Sequence, residues 1–263
     1  MLGKLIRHEI KSTARIFLPL YAVLLVFALL NRYLNPLQVF DSSGTPNLES
    51  MLKGISISLY VILIIAVFVL TLVIVIQRFY KNLLGDEGYL MFTLPVKAWQ
   101  HILSKFLTAV IWYFMTAASV VISVMILIGA DKLFDFLPQL IQMIREAFGS
   151  SGPVVLPAFI LSQMAAGTLM IYSSMALGHL FQKNRLMYSF AMYCALYAAY
   201  QIILAILILL LGNNLFESLL QSAAPTPAQL NSLFGMLAAV AVLMAVVHFV
   251  LINHILTRKL NLE

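Results

Sequence analysis

Charge is what this chain has least of. Only 10% of its 263 residues are Asp, Glu, Lys or Arg, against 62% that are hydrophobic, a balance that excludes an ordinary soluble domain and leaves a polytopic membrane protein. Cysteine is nearly absent too. Cys194 stands alone in an apolar run, which excludes a disulfide framework and a Cys-based metal site. No H-E-x-x-H run, G-x-S-x-G elbow or G-x-x-x-x-G-K-[S/T] phosphate loop occurs, so the chain has no recognisable means of binding ATP by itself. No apolar run carries Asp, Glu, Lys or Arg at its centre, where ion-coupled carriers and intramembrane hydrolases keep such groups. Neither a catalytic residue, a metal nor a bound cofactor is expected on this chain.

What is present is a set of long apolar runs. Spans are expected at about 16–34, 55–77, 106–130, 155–180, 187–211 and 233–256, each long enough to cross a hydrocarbon core of about 30 Å. The expected fold is therefore an all-α, six-span membrane protein forming a single transmembrane domain over 1–263. With both termini in the cytoplasm, only Arg32, Lys53, Lys132 and Arg145 of the 16 basic residues lie outside. That bias fixes the orientation in a plasma (cytoplasmic) membrane, and it accounts for the net charge of +6 without nucleic acid.

Between the runs, three connecting regions carry structure. Residues 1–15 hold Leu2, Leu5, Ile6, Ile10 and Ala14 on one side and Lys4, Arg7, Lys11 and Arg15 on the other, the pattern of an interfacial helix whose cations meet anionic lipid. Residues 137–148 put Leu137, Leu140, Ile141, Ile144 and Phe148 on one helical face before Gly149–Pro153 stops the helix; it rests on the outer leaflet or caps the bundle. The loop 35–54 reads as an exposed turn region. Gly212–Ser232 reads as a short helix that dips in and breaks at Ala-Ala-Pro-Thr-Pro.

The loop 78–105 is the largest polar interruption in the N-terminal half. Asp86, Glu87 and Gly88 punctuate it, Tyr89, Leu90, Phe92 and Leu94 are apolar, and Pro95 fixes a turn before a short helix from Val96 to Phe106. Trp99, Ile102, Leu103 and Phe106 fall on one face of that helix, and Lys97, Gln100, His101, Ser104 and Lys105 on the other. Inside the membrane, Tyr193, Tyr197, Tyr200 and Gln201 form a stripe with two open readings, a lining for a substrate path or a helix contact. His248 reads first as an interhelical hydrogen bond, with a proton or substrate site as the alternative.

The series Asp86-Glu87-Gly88-Tyr89-Leu90, Thr93-Leu94-Pro95-Val96 and Ser104-Lys105, together with six spans and an N-terminal interfacial helix, resembles the permease subunits of type-2 ATP-binding cassette exporters. It departs from many members at Tyr89-Leu90-Met91-Phe92, where Gly-Thr-Leu would follow the acidic residue. The resemblance implies an elbow helix at 1–15, a cytoplasmic coupling helix between the second and third spans, and an ATPase-docking loop over Asp86–Val96. It also implies a separate ATPase subunit that carries ATP and magnesium, and a second permease copy or a similar permease. Cargo would be an amphipathic or hydrophobic peptide, lipid-like molecule or drug, moved outward. A membrane-embedded peptide-sensing or immunity subunit is the alternative.

Overall fold

The computed structural model describes residues 2–34, 48–85, 96–181, 183–211 and 226–258. Seven α-helices account for nearly all of them: α1 Leu2–Leu34, α2 Leu48–Phe79, α3 Ala98–Ile128, α4 Ala130–Phe148, α5 Gly152–Gly178, α6 Arg185–Leu211 and α7 Pro227–Arg258. Among the described residues, six helical segments are long and apolar enough to cross a membrane, which makes this a multi-pass membrane protein.

Several boundaries differ from those the apolar runs suggest. The segment expected to be a separate interfacial helix and the first expected span form one helix, because no Gly interrupts Arg15-Ile16 and Thr13 returns its hydroxyl to the Glu9 carbonyl at 2.7 Å. Pro19 is absorbed inside α1. Residues 48–54 are the first turns of α2 instead of loop, supported by a Glu49–Lys53 ion pair one helical turn apart, 2.6 Å. The third span stops at Ile128, since Gly129 takes φ +101°. The last begins at Pro227, six residues before the expected start: Thr226 accepts from Gln229 N at 3.4 Å while the Gln229 side chain accepts from Thr226 N at 2.7 Å. This reciprocal pair, with Pro at the first helical position, is a capping box.

The contacts divide the chain into two compact units. The first, Met1–Gln77 with Leu107–Leu137, has a core of Phe17, Tyr21, Leu24 and Ala28 from α1, Tyr60, Val67 and Ile74 from α2, and Trp112 from α3. Trp112 lies over Phe17 at 4.1 Å and donates its indole N–H to Thr13 Oγ1 at 2.8 Å. Beyond it, Thr116 Oγ1 meets Tyr21 Oη at 2.8 Å and Thr71 Oγ1 at 2.9 Å, Tyr60 meets Ser123 at 2.8 Å, and Ser56 donates to Asn31 Oδ1 at 2.9 Å. Within lipid, apolar burial does not drive helices together, and each bond of this kind contributes about 0.6 kcal/mol. The ladder fixes register more than it adds stability.

The second unit is Arg78–Phe106 with Pro138–Glu263. Its centre is α5, which packs on both α6 and α7 and buries Ala166, Leu169, Met170, Tyr172, Met175 and Ala176. Small residues permit the approach. At Gly178 the approach is closest, for a Cβ there would overlap Ser189 Oγ and lie 2.5 Å from the Ser189 backbone.

Candidate functional site

The connector between α2 and α3 is the candidate site. Its first part continues α2 as a widened turn, Tyr80–Leu84, closed by Gly85 N donating to the Tyr80 carbonyl at 2.9 Å. Such π turns are rare and occur often at functional sites. Asn82, Leu83 and Leu84 are buried. Asp86, Glu87, Gly88, Tyr89, Leu90, Phe92, Thr93, Leu94 and Pro95, the expected docking loop, lie outside the described residues; Val96 is half-buried.

Aromatic residues seat the described part of the connector. Phe79, fully buried, stacks on Tyr172 of α5 with centroids 3.9 Å apart and planes at 9°, and Tyr80 meets His179 edge-on at 5.4 Å. His179 closes α5, and its Nε2 lies 3.2 Å from the Arg185 guanidinium at the start of α6. Phe181 stacks on Tyr188 at 4.2 Å across the same turn. Hence Arg78–Leu84 joins two spans in sequence but packs on the turn between two others.

Helix α3 completes the connector, and part of its expected polar face is buried: Lys97 is exposed and Gln100 half-buried, but the remaining three polar residues are not on the surface. His101, Ser104 and Lys105, assigned to the polar outer face, are at most 3% exposed, while Trp99, assigned to the apolar face, is 39% exposed. Ser104 returns its hydroxyl to the His101 carbonyl at 2.8 Å, and each of the three has an interaction within the protein. Ile102 is buried as expected.

His179 is held below the ordinary histidine range, first by burial and then by the Arg185 charge, against a smaller upward pull from the Leu84 carbonyl. A depressed value means that the neutral ring belongs to the packed state. Its contribution is present above about pH 6.5 and is lost as pH falls through the depressed value, where the loosened state takes up the proton first. Backbone amides of Leu83 and Leu84 should therefore exchange faster with deuterium at about pH 5 than at neutrality, after correction for intrinsic rates. His179→Phe should remove that difference, and a difference of the same size in the variant would refute the assignment.

The intramembrane candidates separate. His248 makes an interhelical bond, Nδ1 to Ser173 Oγ at 3.0 Å, with both side chains buried. Ser173 Oγ also lies 2.9 Å from the Met170 carbonyl, the second partner within its reach. Tyr193 and Tyr197 stack on each other at 6.3 Å, Tyr200 reaches Gln163 at only 3.5 Å, and Tyr197 and Gln201 are exposed. Among the described residues no cluster of three or more His, Cys, Asp or Glu could hold a metal ion.

No family model, curated protein or solved structure matches this chain. The family resemblance therefore stands on the chain's own residues. The polar ladder of the first unit and the buried polar face of α3 were not anticipated from the sequence; the recurring hydroxyls Thr108, Thr116, Ser119 and Ser123 along α3 were the available signal.

Proposed function

We propose that this chain is the membrane-spanning permease subunit of an ATP-driven exporter of the type-2 ATP-binding cassette class. It draws energy from a separate ATPase subunit and acts with a second permease copy or a similar permease. The observation that carries this reading is mechanical: α3 runs unbroken from Ala98 to Ile128, starting three residues after Pro95. A displacement of the docking loop then moves a whole span instead of being lost in slack. The packing of Phe79 and Tyr80 against Tyr172 and His179 supports transmission to α5 as well.

In this reading, ATP closes the ATPase pair, the connector carries the motion, and the permeases exchange inward and outward openings. Both termini and the connector face the cytoplasm. The cargo is an amphipathic or hydrophobic peptide, lipid-like molecule or drug, in keeping with spans that lack central charge.

The test is purification of the tagged chain under mild extraction, with ATPase activity assayed in the co-purified material. An ATPase should accompany the parent chain, and Leu90→Glu, Phe92→Glu and Leu94→Glu should each reduce its recovery at least about tenfold, as expected for burying an unpaired charge at an interface. If no nucleotide-binding partner accompanies the parent chain, the exporter reading fails and the sensing or immunity reading replaces it.

A further inference from the structure

Helix α4 has no buried residue along its 19 positions, yet it is not a polar helix. Phe134, Leu137, Ile141 and Ile144 recur at spacings of three and four on one face, with Phe134 60% and Ile141 47% exposed. Asp131, Asp135, Gln142 and Glu146 occupy the opposite side, where Gln142 Nε2 donates to Glu146 Oε1 at 2.9 Å. An uncovered stripe of this kind calls for an apolar partner.

The chain itself restricts what that partner is. Only Gly129 separates α4 from α3, and only the tight turn Gly149–Ser151 separates it from α5, both of which belong to membrane-spanning segments. Each joint is a tight turn, and the second is also held by hydrogen bonds. Gly129 and Gly149 adopt positive φ values of +101° and +67°, and Asn231 Nδ2 donates to the Phe148 carbonyl and to Ser151 Oγ, each at 2.7 Å. Phe148 and Phe159 both meet the ring of Phe234, at 5.1 and 4.9 Å. Helix α4 is thus tied through one residue to the end of α3 and through three residues to the start of α5. It cannot cross: its uncharged stretch 136–144 covers only about 14 Å at 1.5 Å per residue, well short of a core of about 30 Å.

We infer that α4 is an in-plane membrane helix, with the face carrying Phe134, Leu137, Ile141 and Ile144 immersed in the acyl-chain boundary of the bilayer and the acidic face in water. Three acids, Asp131, Asp135 and Glu146, against two bases, Lys132 and Arg145, leave the helix at −1. Its attachment therefore rests on apolar burial, without the attraction to anionic lipid that a basic helix has.

The test uses the full chain carrying Cys194→Ser and one new cysteine at a time, Phe134→Cys, Asp135→Cys, Ile141→Cys or Gln142→Cys. Each is spin-labelled and reconstituted in phosphatidylcholine vesicles, and collisions with oxygen and with a water-soluble nickel chelate are measured. The ratio of oxygen to nickel accessibility should be several-fold higher at 134 and 141 than at 135 and 142, and unchanged by added salt or anionic lipid. High nickel accessibility at all four sites would place the helix in water and overturn the inference. Low accessibility to both reagents at 134 and 141 would also overturn it, because protein, such as a second copy, would then cover the face. Phe134 and Ile141 are exposed, so their replacement leaves the packed residues intact.

Discussion

Gly178→Ala is expected to destabilise the second unit by about 3 kcal/mol, the upper part of the range for overpacking a tight contact. The new methyl group would overlap Ser189 Oγ, and it would also meet the Cα and backbone nitrogen of Ser189 at 2.5 Å. A hydroxyl can rotate away; a helix backbone cannot. The expected result in detergent is a lowered unfolding midpoint and a reduced yield of monodisperse protein. Ser189→Gly in the same chain should restore little, since the backbone obstruction remains. Near-complete rescue would show that the helices have room to separate and that Gly178 is not the contact that sets their distance. By comparison, deleting the Ser173–His248 bond should cost about 0.6 kcal/mol, the usual worth of such a bond in lipid. Close packing is therefore expected to outweigh hydrogen bonding in this unit.

How far the sequence discloses this structure depends on whether a signal is carried by one segment or needs two. The spans were legible because uninterrupted apolar runs report length directly. The stop after Phe148 was legible because Gly149 can take a left-handed φ, which it does. The capping box at Thr226–Gln229 was equally local, but Pro225 and Pro227 read as a break and hid the fact that Pro227 occupies the first helical position. A separate helix at 1–15 was expected because charge changes at Arg15, yet a change of charge is no helix terminator and α1 continues.

Pairings between segments were the illegible part. Thr116 bonds to Tyr21 and to Thr71, residues far apart in the chain, and nothing in any one run announces that register. The amphipathic rule misplaced four residues of α3, Trp99 among them, for a related reason. It takes water to be on the polar side, whereas His101, Ser104 and Lys105 face protein. Likewise Phe79 and Tyr80 look like the ordinary aromatic end of a span, and only the fold shows that they pack on Tyr172 and His179.

That packing leads to the other large effect. Phe79→Ala removes a fully buried ring stacked on Tyr172, a change that costs about 3–5 kcal/mol in water-soluble cores. Part of that figure is transfer from water, which counts for less beside lipid, so about 3 kcal/mol is expected. The loss should appear locally, as about a hundredfold faster exchange of the Asn82, Leu83 and Leu84 amides, while amides in the Trp112 core of the first unit keep their protection. Phe79→Leu retains most of the volume and should cost less than about 1.5 kcal/mol. If the connector transmits force as proposed, Phe79→Ala leaves recovery of the ATPase partner intact, because docking belongs to Leu90, Phe92 and Leu94, but uncouples ATP hydrolysis from cargo export. Loss of the partner in Phe79→Ala would instead assign Phe79 to docking. Normal export with exchange fully loosened would remove the seat from the transmission path and leave α3 as its only carrier.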